Sequence, residues 1–281
     1  MDESNLCKIL DINRYSVNGK FKQNASYIYF ERHECPPIAN ALKFIAVRKN
    51  AKDCKDLYAK NFKRSGLYAV AVGGQQSEGY MRPIVCDMTT MGGGWTVIER
   101  RFNGQLTFKR NWAKYKAGFG KFDAEFYYGN ENWHLLTMDQ STNHELYIIL
   151  GTKGGDKADP YYDDVEIKSE SNNYRLRLGQ YQYQNHGPDL HLLNADKFKD
   201  YHDGKEFSSF DRDNDQGTDN CSHEKGFGGF WFISICGNVN FHGIWRGEDS
   251  VITDEEKFTG IRWKSVFNGE DPIASVIIQI R

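Results

Sequence analysis

From residue 54 onward the chain runs in short apolar stretches, each broken by Gly, Asn or Asp after roughly 8–15 residues, the rhythm of strands and turns with a few short helices. Trp95–Arg100 alternates apolar and polar side chains after three consecutive glycines, and Tyr174–Leu178 alternates likewise. A period of two places one face of a strand in a core. Leu67–Val72, Leu146–Leu150 and Val165–Lys168 predict further strands, and the apolar Ser275–Arg281 predicts a strand inside a sheet. Asp53 stands where a short helix opening at Cys54 needs its N-cap, and Ser65-Gly66 is the expected end of that helix. Residues 1–50 have another texture, poor in Gly and marked by the pair Pro36-Pro37. They predict an N-terminal extension or small subdomain, with one domain over residues 51–281.

Composition narrows the class. At 281 residues the chain holds one large or two modest domains. An apolar share of 39%, an aromatic share of 14% and 27 glycines suit a loop-rich β or α+β protein better than a helical bundle. Lys plus Arg number 36 against 38 for Asp plus Glu, so no basic field exists to draw in nucleic acid. No apolar run approaches the ~18 residues of a membrane span. Residues 1–10 are too polar for a signal peptide, so the expectation is a removed leader or a piece of a longer chain.

Six cysteines, at positions 7, 35, 54, 86, 221 and 236, fall into three successive pairs along the chain, though other pairings are formally open. No CxxC, CxxH or HxxxH spacing supports a zinc site, whereas disulfides place the protein in an oxidising, extracellular compartment. Asn24-Ala25-Ser26 is an N-glycosylation acceptor and agrees with secretion.

The most informative chemistry lies in Phe210–Cys221, where Asp211, Asp213, Asp215 and Asp219 crowd into one segment with Gly217. Carboxylates at alternate positions turn hard oxygens toward one centre, as calcium requires, and would repel one another without a cation. The segment is not an EF-hand. Counting from Asp211, the sixth position is Gln216 in place of Gly and the twelfth is Ser222 in place of Glu. Beyond it, Cys221–Cys236 carries Phe227, Phe230, Trp231 and Phe232. A disulfide closing that segment would contribute about 3 kcal/mol. No GxSxG elbow, HExxH or GxxxxGK segment occurs, and Gly92–Gly94 precede a strand and not a helix, so no enzyme is expected.

Several stretches carry a resemblance in order: Asp53–Tyr58, Ser65–Tyr68, Cys86–Met88, Gly92–Ile98, Arg100-Arg101, Trp112, Tyr115–Gly120, Glu125-Phe126, Gly129–Glu131, Leu135–Thr137 and Asp211–Cys221. Over residues 52–281 the chain resembles the fibrinogen C-terminal domain, the globular module of fibrinogen chains, ficolins, tachylectins, tenascins and angiopoietins. The resemblance implies an α+β fold with a central antiparallel sheet, short helices and long loops. It implies disulfides Cys54–Cys86 and Cys221–Cys236, leaving Cys7 and Cys35 to pair within or between chains. It also implies a calcium site with side-chain ligands Asp213 and Asp215 and backbone carbonyls of Gly217 and Asp219, Asp211 being a supporting residue.

Departures from the lectin-type members are local. Fourteen residues (Ser222–Ile235) separate the last two cysteines, a longer segment than those members have, and Gly237 follows where they carry His. Asn240-Phe241-His242-Gly243 replaces their Asn-Leu-Asn-Gly turn, and no Tyr stands near Lys257-Phe258 or Gly269–Asp271. The resulting expectation is a secreted, calcium-binding, lectin-like protein of innate recognition that binds a glycan or acetylated ligand through Phe227, His242, Trp245 and Phe258. The alternative is an adhesion or receptor-ligand module for a cell-surface protein. Single sugar sites bind weakly, so multivalency through self-association is expected.

Overall fold

A computed structural model describes residues 51–73, 81–139, 141–182, 197–224, 228–234, 236, 239–247, 253, 259–263 and 273–281, with the short strands at 6–7, 21–23, 28–31 and 46–48. Two compact units emerge: residues 1–97 with 119–124 and Arg281, and residues 98–118 with 125–280.

In the first unit, β1 (Leu6–Cys7), β2 (Phe21–Gln23) and β3 (Ile28–Glu31) form an antiparallel sheet in the order β1-β3-β2. β4 (Ala46–Arg48) lies parallel to β5 (Gly66–Val70), which pairs antiparallel with β6 (Arg82–Asp87) and β6 with the start of β7 (Trp95–Arg101). Helix α1 (Cys54–Ala59) opens as expected, with the Asp53 carboxylate accepting the Asp56 N–H at 2.7 Å. It ends well before Ser65-Gly66, because Asn61 turns left-handed at φ 68°. The Cys54–Cys86 disulfide ties α1 to β6, and Leu57, Ile84 and Trp95 are fully buried around it. Gly93 sits at φ 79°, and a Cβ there would fall 2.4 Å from the Met88 carbonyl oxygen. The glycine run is therefore a tight turn into β7 and not a phosphate loop. A short strand, β8 (Phe119–Gly120), belongs to the same unit.

The second unit contains the rest of β7. Helix α2 (Trp112–Ala117) turns Trp112 and Tyr115 inward, three residues apart on one face. β9 (Phe126–Tyr127) pairs with Glu99-Arg100, and α3 (Asn130–Thr137) follows. β10 (Leu146–Thr152) pairs antiparallel with the final strand and with β11 (Lys157–Ala158) and β12 (Tyr161–Tyr162). β13 (Val165–Ile167) and β14 (Leu176–Leu178) form one hairpin ladder. After α4 (Lys197–His202) and α5 (Cys221–Glu224), β15 (Val239–Asn240) pairs with β16 (Arg262–Trp263). The final strand, β17 (Ile273–Ile280), buries Val276, Ile278 and Ile280 against β10, as its apolar sequence predicts. Phe207, Phe230, Trp231, Phe232 and Phe241 are at most 2% exposed, so the aromatic stretch inside Cys221–Cys236 is core.

Candidate functional site

The acidic segment lies between Phe207 and α5, and its backbone is laid out by side chains of its own sequence. Ser208 and Ser209 start it. The Ser208 hydroxyl accepts the Asn214 N–H at 2.9 Å, and the Asn214 side chain donates to the Phe207 carbonyl at 2.7 Å. Asp213 Oδ1 accepts the Asp215 N–H at 3.1 Å. Asp215 then closes two turns at once, Oδ1 accepting the Gly217 N–H at 2.8 Å and Oδ2 the Cys221 N–H at 3.0 Å. Asp215 thereby bridges the acidic segment to α5 and to the Cys221–Cys236 disulfide, whose Cα atoms are 5.2 Å apart.

Oxygens converge beside Gly217. A Cβ on that residue would stand 3.0 Å from Asp215 Oδ1, 3.1 Å from the Ser234 carbonyl oxygen and 3.3 Å from the Asp219 carbonyl oxygen. Burial pushes the Asp215 carboxyl above its ordinary value; two N–H groups oppose that, and the neighbouring Asp213 carboxylate adds to it. Among the described residues no three His, Cys, Asp or Glu side chains form a cage. The set that the resemblance implies, Asp213 and Asp215 with the backbone carbonyls of Gly217 and Asp219, is all oxygen, the chemistry a hard cation such as calcium would require. Asp211 stands apart: its Oδ1 accepts the Trp112 N–H at 2.8 Å and the Ser209 hydroxyl at 2.7 Å, so it supports the loop from the side of α2.

The aromatic candidates for ligand contact divide differently from the sequence expectation. His242 is a core residue, 2% exposed. Its Nδ1 meets the Gly229 carbonyl oxygen and its Nε2 lies 2.8 Å from Glu99 Oε2, so neither ring nitrogen is free for a ligand. Arg101, also buried, donates to the Phe241 and Gly243 carbonyls at 2.7 and 2.6 Å and fixes the same turn. The assignment of His242 to direct contact is corrected on that ground. Trp245 is half-buried, donating Nε1–H to the Ala274 carbonyl at 2.7 Å and lying against Gly104. Phe227, Phe258, Asn24, Cys35 and the side chain of Cys7 lie outside the described residues. The pairing of Cys7 with Cys35 lies outside them too.

Sequence reasoning passed over Arg212 within the acidic segment and the residues outside it that Arg212 meets, Glu170 and Asn173, and it gave Trp112 no role at this site. The signal available for Arg212 was its position between two aspartates.

Residues 50–279 match the family model described as fibrinogen beta and gamma chains, C-terminal globular domain. The chain belongs to the fibrinogen C-terminal domain family. Microfibril-associated glycoprotein 4 of Mus musculus is 34% identical over 242 residues, 83% of this chain and 88% of that one. The solved fibrinogen-like globe domain of human ANGPTL6 superposes with a TM-score of 0.69 at 32% identity, covering 82% of this chain and 94% of that one. A lamprey fibrin D-dimer, solved in complex with the peptide ligand Gly-His-Arg-Pro-amide, superposes with a TM-score of 0.67 at 27% identity, covering 82% of this chain and 72% of that one. As a fibrinogen-like domain the chain is a recognition module in a family of binding domains, not of enzymes. Among the described residues no helix is long and apolar enough to cross a membrane.

Proposed function

We propose that this chain is a secreted, lectin-like recognition protein in which calcium, seated in the acidic segment, holds the Cys221–Cys236 segment in its ligand-binding shape. The observation that carries the reading is Asp215, whose carboxylate joins the acidic turn to the first residue of the disulfide-closed segment. Asp213 and Asp215 would hold the ion with the backbone carbonyls of Gly217 and Asp219, and the Ser234 carbonyl beside Gly217 lies inside the same disulfide loop. Calcium would supply charge neutralisation and rigidity there, and no chemistry. The ligand is a carbohydrate or an acetylated compound, the class bound by the lectin-type members that the sequence resembles.

A second reading, a protein partner, is favoured by one observation. His242 is turned inward and Trp245 is partly packed away, while Phe102 and Ile244 stand 46% and 47% exposed in the same unit. Aromatic and aliphatic side chains of this size are the kind that protein interfaces cover.

A panel of glycans, acetylated compounds and extracellular-matrix proteins, probed with calcium and with a chelator, separates the two. Calcium-dependent capture of a sugar or acetyl class, weakened by Asp213→Ala, is the expected result. A blank glycan panel from folded protein, with capture of a matrix protein, would transfer the function to the second reading.

A further inference from the structure

Arg212 lies between Asp211 and Asp213 in the sequence and forms a salt bridge with neither. Its guanidinium lies over the Trp112 ring at 3.9 Å from the centroid, and Nη2 donates to Asn173 Oδ1 at 2.5 Å. Glu170 Oε1 lies 4.0 Å from Nη1. Among the described residues no Lys, Arg or His forms a salt bridge with Asp213, Asp215 or Asp219.

The platform that receives Arg212 is itself fixed. Trp112 stacks on Tyr174 with centroids 5.5 Å apart, and its Nε1–H is donated to Glu170 Oε1 at 2.8 Å. Asn173 is held by a 2.8 Å bond from Nδ2 to Glu206 Oε2. The backbone of Arg212 pairs with Ser209 in both directions, N–H to carbonyl at 3.1 Å and carbonyl from N–H at 2.9 Å. The Asp211 carboxylate takes the backbone N–H of the same Trp112. Two consecutive residues of the acidic segment thus grip one tryptophan, Asp211 by its main chain and Arg212 by its ring face.

We infer that Arg212 is a positioning residue for the divalent cation of the acidic segment: clamped on Trp112, it keeps its own charge off Asp213 and Asp215 and holds the loop in the cation-receptive form. This rests on the calcium reading above. A loop that is receptive only part of the time binds with its dissociation constant divided by that fraction, and so more weakly.

The test is calcium titration by calorimetry on the full chain, beside thermal unfolding in chelator, for the wild type, Arg212→Gln, Arg212→Lys and Asp213→Asn. Arg212→Gln should bind calcium about tenfold more weakly, as when the receptive fraction falls to a tenth. Its unfolding temperature in chelator should stay close to that of the wild type. Arg212→Lys, which keeps the charge and a contact with the indole face, should recover part of the loss. Calcium affinity of Arg212→Gln equal to or tighter than that of the wild type overturns the positioning role. A fall in unfolding temperature without a change in affinity overturns it as well, showing a merely structural residue. Loss of binding in Asp213→Asn alone leaves the calcium reading standing when the positioning role fails. No calcium uptake by the wild type removes both.

Discussion

Side chains around the acidic segment and the His242 turn take their partners from far along the chain, Asp211 from Trp112 and His242 from Glu99. Asp213 and Asp215 are legible as metal candidates because the alternation of carboxylates is local. His242 is not legible as core, because its hydrogen-bond partner Glu99 is 143 positions upstream and the rings of Phe108, Tyr115 and Tyr127 around it are also far away in sequence. Asp211 is likewise defined by Trp112, 99 positions away. His202 is a similar case and gives a measurable consequence. It is wholly buried, with Nδ1 on the Trp231 carbonyl at 2.8 Å and Nε2 without a partner, and burial pushes its pKa down to about 4. A histidine with a depressed folded pKa takes up its proton more readily in the unfolded chain. The stability it contributes as a neutral group is therefore complete above about pH 6.5 and lost as pH falls toward about 4, on the order of 3 kcal/mol in all. Urea unfolding of the wild type and of His202→Gln at pH 7.5 and pH 4.5 should show a smaller acid loss in the variant. Parallel losses in the two proteins would remove His202 as the cause.

At the scale of elements, β7, β10, β13 and β17 fall within a few residues of their expected spans, but alternation did not mark a core face in β7, which is buried on both faces with Thr96, Glu99 and Arg101 included. The ends were less legible. β14 begins at Leu176 and not at Tyr174, since Tyr174 adopts φ 48°, a conformation imposed by the turn at Glu170–Asn173. The turn after β7 was also hidden, although its key residue, Glu125, sits in a motif quoted for the family. Glu125 Oε1 accepts the N–H groups of Phe102, Asn103 and Gly104 at 2.7, 2.9 and 3.0 Å, and Oε2 that of Leu106 at 2.9 Å. Burial opposes its ionisation, but the four donors hold its carboxyl below the ordinary value. One carboxylate thus replaces regular structure over the whole loop. Glu125→Gln leaves the donors facing an amide that offers one acceptor oxygen, and should cost roughly 1–3 kcal/mol of unfolding free energy in urea, since a donor turned into the loop without its acceptor is expensive. A loss under about 0.5 kcal/mol, the range of an ordinary surface change, would show that the loop is held by something else.

At the scale of the molecule, the two disulfides act on different parts of the chain. Cys54–Cys86 closes 32 positions in the first unit, and Cys221–Cys236 closes 15 in the second, beside the acidic segment. Each stabilises by about 3–4 kcal/mol in the chain-entropy account. Only the second is joined to the proposed cation site, through the bond from the Cys221 N–H to Asp215. Calcium at a hundredfold excess over its dissociation constant adds about 2.7 kcal/mol to whatever it binds. That increment should therefore depend on one disulfide and not on the other. With Cys54 and Cys86 replaced by Ala, stability falls but the calcium-induced rise in unfolding temperature should persist. With Cys221 and Cys236 replaced by Ala, the loop that places Asp215 and the Ser234 carbonyl opens, and the rise should shrink toward zero. Equal calcium responses in both variants would mean that the ion is held without the disulfide segment. That outcome would remove the Cys221–Cys236 segment as the element calcium holds, and with it the proposed route from cation to ligand.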